Sequence, residues 1–148
     1  MSNEILLLSG PNLDLLGTRN PEIYGTTTLT EHVERFRQLA SDAGFGVRHV
    51  QSNFEGDLIE AVHAARGDAV AIVINAGALT HSSWALADAL DTFTGIKVEV
   101  HISNPAAREP FRHRSTLAGS VSGSIAGFGA TSYELALDAV RRLTSTSS

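Results

Sequence analysis

The chain contains no cysteine, which excludes disulfide bonds and thiolate chemistry together. Basic residues are in the minority. Eleven Lys and Arg face sixteen Asp and Glu, a net charge of -5. No basic stripe is present, so nucleic acid is not an expected partner. No apolar run is long enough for a membrane span and no hydrophobic leader opens the chain, so a soluble cytoplasmic protein is expected. Repeats, linkers and low-complexity tracts are absent as well. The 148 residues are therefore read as one catalytic-sized domain, 1–148, with the small polar tail 145–148 expected to fray. Hydrophobic residues make up 43%, enough for a real core.

What is present alternates. Apolar runs at Ile5–Leu8, Val47–Val50, Ala69–Ile74, Ile96–Ile102 and Val121–Ile125 read as strands. Helical spacing fills the gaps, as in Leu29, Val33, Phe36 and Ala40 before the stop at Gly44. Capping-box spacing occurs at Thr28 to Glu31, Ser52 to Glu55 and Thr131 to Glu134. The second helix is expected over about 55–66. The third should follow Ser82 or Ser83 and run through Phe93. The last is expected to bury Leu135, Val140 and Leu143. Five strands alternating with helices imply a doubly wound parallel sheet, most simply in the flavodoxin-like order 2-1-3-4-5. In that order the ligand crevice lies between strands one and three, at their carboxyl ends.

The unusual polar residues fall in the loops that would meet there. The segment after strand one, Gly10 to Gly25, is longer than a connection needs and carries Asn12, Arg19 and Tyr24. A free phenol titrates near ~10, and a neighbouring guanidinium favours the phenolate, so Tyr24 beside Arg19 is a candidate base. After strand three come Asn75 and His81, the latter just before a helix start. Strand four places Glu99, His101 and Ser103 on one face and Val98, Val100 and Ile102 on the other. A carboxylate two residues from a histidine orients its ring and favours its charged form. Beyond it lie Arg108 and Arg112, four apart and expected to share one side of a helical turn. Arginines at a crevice suit a carboxylate substrate.

Each feature has a plainer reading: an outward tyrosine, capping serines, a structural Glu–His pair, a solvated charged lid. A metal site built from Glu99, His101 and His81 lacks HxH or HExxH spacing and is not expected. Gly10 to Thr18 lacks the Gly-Lys-Ser/Thr ending of a phosphate loop. Gly123, Gly127 and Gly129 do not form GxGxxG, and serve tight turns into the last helix. A flavodoxin-like flavin carrier or phosphoacceptor is the rival from another class. The phosphoacceptor needs acidic residues ending strand one, where this chain has Ser9-Gly10.

Taken together, the motifs resemble type II 3-dehydroquinate dehydratase. Ser9-Gly10-Pro11-Asn12-Leu13-Asp14-Leu15-Leu16-Gly17-Thr18-Arg19, followed by Pro21 to Gly25, resembles that family's opening signature. Val98 to Asn104, followed by Arg108 to His113, resembles its second. Ser52 to Gly56, Gly127 to Gly129 and Tyr133 to Leu137 also fit. The resemblance implies a flavodoxin-like fold and a dehydration without metal or cofactor. It implies Tyr24 as base, His101 as acid and Arg19 as the group stabilising charge near Tyr24. Asn75, His81, Asp88, Arg112 and the backbone of Ile102 and Ser103 would hold substrate, with Asn12, Glu99 and Arg108 in support. Asp88, otherwise a helix surface residue, would approach a neighbouring subunit in a dodecamer built from trimers. The small-molecule substrate is the implied partner. Four positions depart from the family pattern: Asp14 for Asn, Ala76 for Pro, Leu79 for Tyr and Arg114 for His. None removes a proposed acid, base or ligand.

Overall fold

The computed structural model describes residues 2–146. Five strands, β1 (Glu4–Ser9), β2 (Gly46–Gln51), β3 (Ala71–Asn75), β4 (Ile96–His101) and β5 (Gly123–Ala126), form one sheet in the order β2-β1-β3-β4-β5. Every pairing is parallel. The expected order is the observed one. Five α-helices punctuate the strands: α1 (Pro21–Tyr24), α2 (Leu29–Asp42), α3 (Glu55–Ala65), α4 (Trp84–Asp91) and α5 (Thr131–Thr146).

Alternation along the strands divides the core in two. Ile5, Leu7, Ala71, Val73, Val98 and Val100 face α2 and α5. Leu6, Leu8, Ile72 and Ile74 face α3 and α4. Burial on both faces is why β1 and β3 read as continuous apolar runs, whereas β4 alternates Val98 and Val100 with Lys97 and Glu99. Among the described residues no helix is long and apolar enough to cross a membrane.

Of the three capping boxes, one closes. Thr28 Oγ1 accepts from the Glu31 N–H at 3.2 Å, and Glu31 Oε1 accepts from the Thr28 N–H at 3.1 Å. At Ser52 the helix starts later. Its hydroxyl accepts from the Phe54 N–H and donates to Asp57, while Glu55 accepts from Ser83 at the head of α4. At α5 the helix begins on Thr131 itself, and Glu134 turns to Arg35 of α2, 3.4 Å away. In both cases a partner distant in sequence outcompetes the local one.

Two expected core residues of α5 are corrected. Leu135 and Leu143 are 41% and 42% exposed, whereas Tyr133, Ala136, Leu137 and Val140 are buried. The helix turns so that the Tyr133 ring packs edge-on against Phe36, 6.5 Å between centroids, and the buried stripe follows from that anchor by i, i+3, i+4, i+7. The helix also continues through Thr146, with the Ser145 hydroxyl donating to the Arg142 carbonyl. Residues 145 and 146 of the expected frayed tail are therefore helical, and Ser147 and Ser148 lie outside the described residues.

Two histidines of the scaffold make stability depend on pH. Burial pushes the His32 imidazole below its ordinary value. Burial, reinforced by Arg37, does the same to His49. The unfolded chain then binds more protons than the folded one below about pH 6.5. The stability from these neutral rings is fully present above that pH and is lost as pH falls through it. The melting temperature should therefore drop between pH 7.5 and 5.5, and the drop should shrink in His32→Gln. A flat profile over that range would contradict this.

Candidate active site

The carboxyl ends of β1 and β3 meet where Ser9 pairs with Asn75. The loops leaving them are pressed together. Gly10 donates its N–H to the Asn75 carbonyl at 2.8 Å. A Cβ at Gly10 would stand 2.3 Å from the Ala76 carbonyl oxygen, so only glycine fits. Gly77, at φ +60°, packs so that an added Cβ would lie 2.9 Å from the Pro11 carbonyl oxygen. Ala76 holds φ -81°, close to what a proline ring imposes, so the turn keeps its shape without the ring.

The first loop is more structured than a connection. A 3-10 turn, Leu13–Leu15, precedes α1. Leu13 and Leu16 bury themselves in the α2/α5 side of the core and pin the loop to it. Asn12 takes the left-handed conformation, φ 68°, and its N–H donates to Asn53 Oδ1 at 2.9 Å. Gln51 donates to both Asn53 Oδ1 and the Gly10 carbonyl. The loop presents Tyr24 with a guanidinium over its ring, Arg19 Cζ at 4.9 Å from the centroid. A second cation comes from the far side of the site, Arg108 Cζ at 5.1 Å.

On β4, Glu99 and His101 point away from the Val98–Val100 face, as period two requires. Glu99 is 2% exposed and its Oε2 lies 2.6 Å from His101 Nε2. Its other oxygen accepts from the Ser115 hydroxyl at 2.9 Å. A buried carboxylate bonded at both oxygens has satisfied partners, which the cost of burying charge demands. The strand end is braced by the glycine-rich loop before α5. Gly127 and Gly129 donate to the carbonyls of His101 and Ile102. Ile102 therefore has its carbonyl committed.

Arg108 and Arg112 do not share a helical turn, contrary to expectation. Pro105–Ala107 and Pro110–His113 form two separate 3-10 turns, with Arg108 extended between them. The prolines open each turn and prevent one helix from joining them. Both arginines still reach the site. Arg108 Nη1 donates to Ser103 Oγ at 3.1 Å, and Arg112 Nε to Glu109 at 3.1 Å. His81 Nδ1 donates to the Arg114 carbonyl at 2.8 Å, which leaves Nε2 as an acceptor in the neutral ring. Because position 114 contributes its carbonyl, the arginine there leaves this bond intact. Asn75 is fixed by its Nδ2 donating to the Tyr133 hydroxyl and its Oδ1 accepting from Gly77. Burial raises the Tyr133 phenol to about 12, so that hydroxyl stays neutral.

These side chains enclose one crevice of about 570 Å³, counting its open mouth. Asn12, Arg19, Tyr24, Asn75, His81, His101, Ile102, Ser103, Arg108 and Arg112 line it. Glu99 stands behind His101 rather than in the wall. Asp88 is the exception: it is exposed on α4 and outside the lining. Sequence reasoning gave no contact to Ser115, Asn53 or Tyr133 and read Gly127 and Gly129 only as turn-formers, since nothing local marks a contact made across the fold. Among the described residues no group of three or more His, Cys, Asp or Glu side chains is placed to hold a metal. The only lysine in the sequence, Lys97, donates to the Leu90 carbonyl and lies outside the crevice.

Comparison with known proteins agrees with this architecture. The family model for dehydroquinase class II matches residues 3–141. The chain belongs to that family. A 3-dehydroquinate dehydratase of Parasynechococcus marenigrum is 55% identical over 133 residues, 90% of this chain and 91% of that one. One from Cereibacter sphaeroides is 50% identical over 98% of this chain and 97% of its own. The crystal structure of type II dehydroquinase from Propionibacterium acnes superposes with a TM-score of 0.91 at 44% identity, covering 96% of this chain and 98% of that one. A class II dehydroquinase therefore has its crevice where the strand order reverses, as the topology required.

Proposed function

We propose that this dehydroquinase removes water from 3-dehydroquinate to give 3-dehydroshikimate, a step of the shikimate route to aromatic amino acids. The reaction is an anti elimination from a β-hydroxy ketone through an enolate, with no metal or cofactor taking part. The observation that carries the reading is that a guanidinium-flanked Tyr24 and a carboxylate-backed His101 line the same crevice.

Tyrosinate 24 takes the proton alpha to the carbonyl. The guanidinium groups of Arg19 and Arg108 lie 4.9 and 5.1 Å from its ring centroid. The C–H electrons move into the carbonyl, and the enolate oxygen is held by hydrogen bonds, with Asn12 as organiser. Imine chemistry has no amine here, because Lys97 is committed elsewhere. The enolate then collapses, the C–O bond breaks, and His101 gives its proton to the departing hydroxyl as water. With Nε2 facing Glu99, Nδ1 is the nitrogen that delivers it. Tyr24 ends protonated and His101 neutral, and proton exchange with solvent restores both.

Arg112 and the other crevice cations suit the substrate carboxylate, while Asn75, His81, Ser103 and the Ile102 N–H take its hydroxyls. Asp88 reaches a site only from a neighbouring copy, which fits a dodecamer of trimers. A cytoplasmic enzyme fits the same reading.

The product is a conjugated enone and the substrate is not. Ultraviolet absorbance should rise when 3-dehydroquinate meets the purified protein, with or without EDTA. A folded protein that gives no rise overturns the assignment, and strong EDTA inhibition overturns the metal-free mechanism.

A further inference from the structure

We propose that Ser115 is a positioning residue for the acid: its hydroxyl holds the Glu99 carboxylate in place and keeps it aimed at His101. The inference rests on the reading of His101 as acid, and extends it to a residue outside the crevice wall.

Three observations carry it. Glu99 Oε1 accepts from Ser115 Oγ at 2.9 Å while Oε2 lies 2.6 Å from His101 Nε2. The Ser115 oxygen itself accepts from the Leu117 N–H at 3.1 Å. A hydroxyl has one proton, so with that lone pair occupied the proton is directed at Glu99. The segment carrying Ser115 is held rigid. Thr116 donates its N–H to the Thr80 carbonyl at 2.7 Å and its hydroxyl reaches the carbonyls of Thr80 and Ser83. Leu117 is fully buried. One residue earlier, the Arg114 carbonyl fixes His81. A single short strap therefore orients both crevice histidines, one directly and one through Glu99.

The chemistry follows from the donor count. A hydrogen bond to a carboxylate favours its charged form. Without the Ser115 donor, a buried oxygen of Glu99 loses its partner and the Glu99–His101 pair holds its shared proton more tightly. The acid is then weaker, and proton delivery to the leaving hydroxyl slows. The other titratable or charged groups facing His101 across the crevice are Arg19, Tyr24, His81, Arg108 and Arg112, and they are unchanged by a substitution at position 115.

Ser115→Ala should lower kcat about tenfold with KM within about twofold, and move the alkaline limb of the pH–rate profile up by about one unit. The His101 imidazole, followed by NMR in the protein without substrate, should titrate higher by a similar amount. Ser115→Cys, a weaker donor of similar size, should shift both in the same direction by less, and carries the test should the alanine protein not fold. A folded variant with the wild-type limb and the wild-type imidazole titration overturns the proposal, as does a change confined to KM. The NMR arm stands apart from turnover. A wild-type protein inactive on 3-dehydroquinate would defeat the functional reading while the titration still decides the role of Ser115.

Discussion

Tyr24→Phe should lose turnover by roughly 10³-fold while folding as the wild type does. The substitution removes one oxygen and nothing else. The ring keeps its place between Arg19 and Arg108, since both contacts are made to the ring face. It also keeps its packing against the α2/α5 side of the core. What disappears is the oxygen proposed to accept the α proton. KM should change little, because the proposed substrate ligands Arg112, Asn75 and His81 are untouched. The measurements are kcat by enone absorbance and the melting temperature. Retained activity in a folded variant would remove the tyrosinate from the mechanism. A lower melting temperature with activity lost in proportion would make Tyr24 a packing residue.

Gly10→Ala should be the most costly small change to the scaffold. The new Cβ meets the Ala76 carbonyl oxygen at 2.3 Å and its carbon at 2.5 Å. Both belong to backbone, so no side chain can swing away. The loops after β1 and β3 must part, and the bond from the Gly10 N–H to the Asn75 carbonyl stretches or breaks. Overpacking of this kind costs about 2–3 kcal/mol. For a chain of this size that is a fall of about 5–10 °C in melting temperature. Activity should fall too, since Asn12 sits on one of the separating loops and Asn75 at the strand end from which the other leaves. Gly56, where an added Cβ meets nothing within 4 Å, is the control: Gly56→Ala should leave both quantities almost unchanged. A Gly10→Ala protein as stable as the wild type would mean the two loops are not packed as described.

The contrast between these residues shows what a sequence makes legible. The sheet order could be read because each strand is a short apolar run bounded by helical periodicity, and such patterns are local. The Glu99–His101–Ser103 face could be read because alternation along a strand is local as well. Arg19 and Tyr24 were visible as a pair, but the second guanidinium over the ring, Arg108, comes from 84 positions further along and only the fold supplies it. The boxes at Ser52 and Thr131 failed for the same reason. Glu55 and Glu134 found partners on other helices, Ser83 and Arg35, that no spacing rule records. Helical spacing misjudged Arg108 and Arg112 because two prolines turn that segment into separate 3-10 turns. Leu135 and Leu143 face solvent because Tyr133 sets the rotation of α5, which apolar character alone does not encode.

The central claim is that base and acid act on opposite faces of the substrate, Tyr24 from the first loop and His101 from β4. Stereospecifically labelled 3-dehydroquinate tests it most directly. Substrate carrying deuterium only at the α hydrogen anti to the leaving hydroxyl should give product free of label, with slower turnover when C–H cleavage limits the rate. Substrate labelled at the other α hydrogen should give product that keeps it. Retention of the anti label in the product would contradict the account.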